Sequence, residues 1–336
     1  MKRILTITLC FMLAMAGNMA QGHNVRAKLK PDAGTMTEKN LYVMERNLSQ
    51  LLNEINIAFE ENRDPILMGM PIDDYAVKTI NALWATAHFY CDEEVFESRL
   101  WNMRDGYMAR EVPILIDTRD EEFGSAVFQW VVIDFDKKGN ISDFRFSTSG
   151  TSGESLAQGG DVADAERQMI IRQYCERFRT AYNTKDIDFL EQVFSDDALI
   201  ITGKVVRVKN DPNSDVSPKS KVVYNEQSKT QYLNNLKRCF SNNRWIYVKF
   251  EDIVDSDGDT LNTISQSLSN PNFYGVRLRQ EWKSSSGYHD EGYIFLLWDF
   301  TNENEPIIHV RTWQPEYVGG KKLPDSEIFS TSSFGY

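Results

Sequence analysis

Ile307, His309, Arg311 and Trp313 alternate along a strand-like run near the C-terminal end. Side chains two apart on a strand share a face, so this spacing predicts an imidazole, a guanidinium and an indole side by side. The planar fork of Arg311 could then hold an anionic ligand. The alternative is a solvated outer face with Trp313 covering the edge of a core, since antiparallel sheets often wet one side. Other clusters are weaker. His88 and Cys91 stand beside Asp92, Glu93 and Glu94, but no second pair completes a zinc set; a helix end with a buried thiol is the plainer reading. Asp255-Ser256-Asp257-Gly258-Asp259 has the acidic spacing of a calcium loop. Its glycine is fourth and not sixth, and Gln266 stands where a bidentate glutamate belongs, which favours a strand-connecting turn. No nucleophile elbow, phosphate loop, His-Glu-x-x-His pair or dinucleotide fingerprint occurs. No catalytic residue, metal site or cofactor is therefore expected.

The elements that must position these residues follow from periodicity. Leu41, Met44, Leu48, Leu51, Leu52, Ile55 and Phe59 predict a helix from Thr37, its N-cap. A second helix is expected from Asp73 to Phe89, then strands near 95–100, 106–117, 124–135 and 141–147. Beyond a Gly- and Ser-rich stretch at 150–160, a long helix starts near Asp161. A short helix covers Ile187 to Phe194, and a short strand Ala198 to Thr202. A helix near Thr230–Phe240 precedes strands at 245–254, 274–283, 292–301 and 307–314. Helices first and strands after, twice over, predict α+β architecture.

Two segments read alike, Phe128-Gln129-Trp130-Val131-Val132-Ile133-Asp134-Phe135 and Tyr293-Ile294-Phe295-Leu296-Leu297-Trp298-Asp299-Phe300. Each enters a polar turn and a further strand, so that Ile141, Phe144 and Arg145 fall opposite Ile307, Val310 and Arg311. Spacing this long suggests two copies of one domain.

The second half carries Phe178-Arg179-Thr180-Ala181-Tyr182-Asn183-Thr184-Lys185-Asp186-Ile187-Asp188-Phe189-Leu190, then Val193-Phe194-Ser195-Asp196-Asp197-Ala198. This resembles the nuclear transport factor 2-like superfamily, which includes ketosteroid isomerase and SnoaL-type cone folds. In that superfamily a helix, an Asn-x-x-Asp turn, a short helix and a Phe-x-Asp-Asp-Ala step into the first strand recur in this order. The resemblance implies two tandem cone domains, each with N-terminal helices packed on a curved antiparallel sheet. The whole chain also resembles secreted Bacteroidota proteins described only by membership of this superfamily, notably over Val318–Phe329; no activity is implied. Isomerases of the superfamily need a tyrosine where Phe178 falls and an aspartate where Thr202 falls. Phenylalanine donates no hydrogen bond and threonine is no general base near neutral pH. Tyr182 lies one helical turn from Phe178 and is the alternative donor.

Lys2-Arg3, the uncharged run Ile4–Ala16 and Asn18-Met19-Ala20 read as a secretory signal peptide cut after Ala20. The expected organisation is a signal peptide at 1–20, a flexible segment at 21–36 and a first, divergent domain at 37–149. A linker at 150–162 and a second domain with a C-terminal extension at 163–336 complete it. The formal charge is −12, or −14 once Lys2 and Arg3 are removed. An acidic chain without a basic stripe argues against nucleic acid as partner, and no run beyond the leader is long enough to span a membrane. Of the cysteines left, Cys91, Cys175 and Cys239, an odd number cannot all pair; three buried thiols are favoured over a Cys175–Cys239 bridge. The combined expectation is an exported, non-catalytic binding protein, periplasmic, cell-surface or extracellular. Its expected partner is a small molecule or a protein, sheet-to-sheet packing of the two domains is one arrangement open to it, and the candidate ligand residues are Tyr182, His309, Arg311 and Trp313. The rivals are a small-molecule enzyme with a non-standard polar set and a structural module of a surface assembly.

Overall fold

The computed structural model describes residues 24–31, 36–117, 126–148, 162–207, 220–254 and 263–336. The leader, most of the linker and the Asp255–Asp259 turn therefore lie outside the described residues. The chain divides into two compact units. One holds the described parts of Met1–Asn81, His88–Ile116 and Val132–Phe144; the other those of Ala82–Ala87, Asp117–Val131 and Arg145–Tyr336. The architecture is α+β, with two major sheets and helices preceding most of the strands of each.

In the first unit, α1 (Glu38–Glu61) is capped by Thr37, whose hydroxyl accepts from the Asn40 amide at 3.3 Å. It ends at Asn62, whose φ of 52° closes the last turn. Met44, Leu48, Leu51, Leu52 and Ile55 are its buried stripe. After α2 (Asp74–Thr86), the strands are β2 (His88–Tyr90), β3 (Val95–Met103), β4 (Gly106–Asp117), β5 (Val127–Asp136) and β6 (Ile141–Phe146), the end of α2, the start of β5 and the last residues of β6 counting with the second unit. With β1 at Arg26–Pro31, the sheet order is β1-β3-β4-β5-β6, with β2 on β4.

The strand β1 (Arg26–Pro31) corrects the expectation of a flexible segment at 21–36. Val25, Ala27 and Leu29 are buried and alternate with basic residues. One edge of β1 pairs in parallel with β3. Its other edge meets a row of α1 side chains. The Val25 amide donates to Asn53 Oδ1 (2.8 Å), that of Ala27 to Ser49 Oγ (3.0 Å) and that of Leu29 to Glu45 Oε1 (2.9 Å). Residues four apart on a helix stack in one row, so α1 satisfies a strand edge that would otherwise invite another chain.

The second unit contains α3 (Val162–Asn183), α4 (Ile187–Val193), β7 (Phe194–Arg207), β8 (Ser220–Gln227), α5 (Lys229–Asn242), β9 (Ile246–Glu251), β10 (Ile264–Gln266), β11 (Phe273–Ser284), β12 (His289–Asp299) and β13 (Ile307–Pro315). Its sheet runs β10-β11-β12-β13-β7-β8, with β9 on β11. The β13–β7 pairing is parallel, against the expectation of a wholly antiparallel sheet. The Asn-x-x-Asp turn has a local cause. Asn183 clasps β9, accepting from the Val248 amide at 2.6 Å and donating to the Val248 carbonyl at 3.2 Å. Asp186 caps α4 by accepting from the Phe189 amide at 3.1 Å.

The two faces of this sheet differ. One packs on the helices through Phe178, Tyr182, Ile200, Leu236, Leu278, Ile294, Leu296 and Trp298. The other carries Phe295, Leu297 and Val310, covered by Phe329, Phe334 and Tyr336 of the chain's own C-terminal segment. Cys91, Cys175 and Cys239 are free thiols, the first two buried. No described helix is long and apolar enough to cross a membrane.

Candidate ligand-binding site

The register of β13 decides where its chemistry points. Leu297 pairs with Val310 and Trp298 with Ile308, leaving His309 as an extra residue. The same irregularity interrupts the β13–β7 pairing between Ile308 and Val310. An inserted residue reverses the alternation beyond it. Ile308 faces the helices, and Arg311 and Trp313 face them too, opposite Leu296 and Ile294. His309 turns the other way. It stacks on Phe273 with ring centres 5.2 Å apart, and its Nε2 lies 3.3 Å from Asp299 Oδ2. The expectation that His309 shares a face with Arg311 is thus corrected by a single bulge. His309 serves the packing of the opposite face.

Arg311 is 4% exposed, and its Nε has no hydrogen-bond partner. Its guanidinium carbon lies 5.1 Å over the Tyr232 ring. The Tyr182 and Tyr232 hydroxyls are 2.7 Å apart, and Arg311 acts on the first of them. Burial works against the charge on Arg311, but Tyr232, Tyr182 and Asp290 together raise its pKa above the ordinary value. Burial pushes the Tyr182 phenol well above its usual range, so it remains a neutral donor and acceptor near neutral pH. The Tyr182 ring packs on Trp282 at 5.5 Å. Tyr182, Arg311 and Trp313 therefore belong to one side of the sheet, and His309 does not.

Further polar residues on this face of the sheet escaped the sequence reading. Trp282 pairs with Asp290 and Gln280 with Gly292 across β11 and β12. These positions continue the helix-facing rows Val276–Leu278 and Ile294–Leu296–Trp298. Gln280 is 2% exposed with an unpartnered Oε1. Asp290 accepts from the Tyr288 hydroxyl through Oδ2 at 2.6 Å, while its Oδ1 has no partner. Trp313 adds an unpartnered indole N–H. The two-residue rhythm of Asp290, Gly292, Ile294, Leu296 and Trp298 was the signal that could have found Asp290.

Thr202 pairs with Trp313 on β7, and its hydroxyl accepts from Gln227 Nε2 at 3.1 Å. Phe178 is fully buried against Tyr182, ring centres 5.0 Å apart. Neither is placed to supply the isomerase roles.

Burial holds the Asp290 carboxyl above its ordinary pKa, against opposing effects of Tyr288, Arg311 and His289. A raised acid binds its proton more tightly in the folded chain than in the unfolded one. The stability this provides is present in acid and is lost as pH rises past the unfolded carboxyl value of about 4. Asp290→Asn is therefore expected to stabilise the protein at neutral pH and to lose that advantage in acid. Urea midpoints measured across the range would show it; a gain independent of pH would contradict the account.

No family model matches this sequence, and no curated protein does. Solved structures overlap it at low identity. A nuclear transport factor 2-like protein of unknown function from Pseudomonas putida is 14% identical, covering 49% of this chain and 98% of its own, with a TM-score of 0.30. A nuclear transport factor 2-like superfamily protein from Salmonella enterica is 11% identical, covering 48% and 99%, with a TM-score of 0.31. A conserved protein from Planctomyces limnophilus is 12% identical, covering 44% and 97%, at 0.30.

The opposite face of the sheet carries a different polar group. Glu281, His289 and Glu291 place their ligand atoms within 4.8 Å of one another. Lys283 lies 2.6 Å from Glu281, and Arg279 lies 2.7 Å from Glu291. Both carboxylates are already neutralised by cations, so the triad reads as part of a surface ion network. His88 and Cys91 do not appear in such a cluster among the described residues.

Proposed function

We propose that this protein is an exported binding module that holds a small anionic molecule on Arg311, in the chamber between the second sheet and its helices. One contrast carries the reading. Arg145 and Arg311 occupy matching places in the two similar hairpins. Arg145 has its countercharge in the chain, with Nε 3.4 Å from the buried Glu176. Arg311 is as deeply placed, yet among the described residues no carboxylate makes such a contact and its Nε is unpaired. The partners of Arg311 are the neutral Tyr182 hydroxyl and the Tyr232 ring, and an arriving anion would supply the charge-assisted bond that its Nε lacks. Tyr182, Trp282 and Trp313 offer the aromatic walls usual in small-molecule sites. The signal-like leader supports export.

The test is calorimetry with benzoate as probe, on wild type and Arg311→Gln. Removing one member of a buried, hydrogen-bonded charge pair costs about 2–5 kcal/mol of binding, so affinity should fall by at least about thirtyfold. Equal affinities in the two proteins, with equal unfolding midpoints, would refute the site.

A further inference from the structure

The site proposed above carries more unpartnered polar groups than an anion alone would use. We propose, resting on the reading above, that its ligand is an organic acid that also carries a hydroxyl or amino group. Besides the Trp298 indole, four unpartnered polar atoms stand on the helix-facing side of β11, β12 and β13, and they fall into two chemical kinds. Arg311 Nε and Trp313 Nε1 are donors. They call for an acceptor such as a carboxylate. Gln280 Oε1 and Asp290 Oδ1 are acceptors. They call for a donor, which a plain carboxylate does not have.

Register separates Arg311 from the two acceptors. Arg311 stands opposite Leu296, towards one end of β12, while Trp313 stands opposite Ile294 with its ring reaching Gly292. Asp290 and the position facing Gln280, Gly292, lie towards its other end. Trp282 and Tyr182, ring centres 5.5 Å apart, link the ends, because Trp282 pairs with Asp290 and Tyr182 meets Arg311. A ligand would thus lie with its acid on Arg311, its donor towards Gln280 and Asp290, and the Trp313 indole between the two. The discrimination has a physical basis. A site built to bond a hydroxyl rejects the analogue lacking it, because its buried acceptors would stay unpaired.

Three probes sharing one ring separate the possibilities: benzoate, 3-hydroxybenzoate and phenol. Calorimetry should show 3-hydroxybenzoate binding at least about tenfold tighter than either other probe, one lost hydrogen bond to a buried acceptor being the minimum difference. Asp290→Leu and Gln280→Leu should each shrink that preference, while Arg311→Gln should weaken both acids. Either leucine variant suffices if the other fails to fold, which urea unfolding would reveal. Equal binding of benzoate and 3-hydroxybenzoate, both sensitive to Arg311→Gln, would overturn the donor end and leave the anion site standing. Binding of neither acid would overturn both. A preference for 3-hydroxybenzoate that survives both leucine substitutions would also refute the assignment of Gln280 and Asp290.

Discussion

Arg179→Met should lower the stability of the protein by about 3–5 kcal/mol, the lower part of the cost of leaving three buried acceptors unpaired. Arg179 is fully buried on α3. Its Nε donates to the Val248 carbonyl at 2.7 Å and its Nη2 to Gln129 Oε1 at 2.7 Å, while Nη1 donates to the Ser147 carbonyl. Its guanidinium also lies 5.1 Å over the Phe146 ring. Burial lowers its pKa to about 10, which still leaves it charged at neutral pH. Methionine matches the bulk of the stem, so the cavity term is small. What remains is the loss of donors to three oxygens, each costing about 1–3 kcal/mol when left dry. Removal of a buried charge works the other way, since apolar replacement of whole ion pairs is often neutral. Here the acceptors stay behind, and their loss dominates. Arg179→Lys should recover only part, because one ammonium cannot reach all three oxygens. Urea unfolding of the three proteins measures this; a methionine variant within 1 kcal/mol of wild type would mean that water replaces the guanidinium.

This cluster marks how far sequence reasoning reaches. The motif Phe178–Leu190 was legible as a helix, a turn and a short helix, because Asn183 and Asp186 do local work on backbone groups. The same text did not disclose that Arg179 is a buried cation, since its acceptors come from residues 32 to 69 positions away. The strand β1 was missed because its edge is satisfied by Asn53, Ser49 and Glu45, a row that has meaning only once α1 lies alongside. The site was half legible for a related reason. Arg311 and Trp313, named from strand spacing, and Tyr182, named from the resemblance, do lie on one side of the sheet. His309 was misplaced because strict alternation assumes no bulge, and one inserted residue sends it to the other face. Gln280 and Asp290 needed the pairing of β11 with β12 before they could be seen to belong with Arg311.

Gly292→Ala carries the second large effect, and it joins the fold to the site. A Cβ there would lie 2.1 Å from the Gln314 carbonyl oxygen and 2.9 Å from Cε2 and Cζ2 of the Trp313 ring. The ring could turn aside, but the carbonyl belongs to the adjacent strand and cannot yield alone. Displacing Gln314 would spread further. Its Nε2 donates to the Tyr224 hydroxyl and to the Glu327 carbonyl, both at 2.9 Å, and its Oε1 accepts from the Phe329 amide at 2.8 Å. These bonds hold the C-terminal segment on the sheet. Overpacking of this kind costs about 1–3 kcal/mol, and more where backbone must move. The expected result is a loss of at least about 3 kcal/mol by that reckoning, with weaker probe binding because the Trp313 indole has moved. The double variant Gly292→Ala with Trp313→Leu separates the two clashes. Leucine frees the space the ring held and leaves the carbonyl in the way, so rescue of stability should be partial and rescue of binding absent. Full rescue would place the whole cost in the ring and make the carbonyl contact irrelevant. An unchanged unfolding midpoint in the single variant would show that β12 and β13 shift freely past one another. The fixed register that sets Arg311, Gln280 and Asp290 on one face of the sheet would then fail with it.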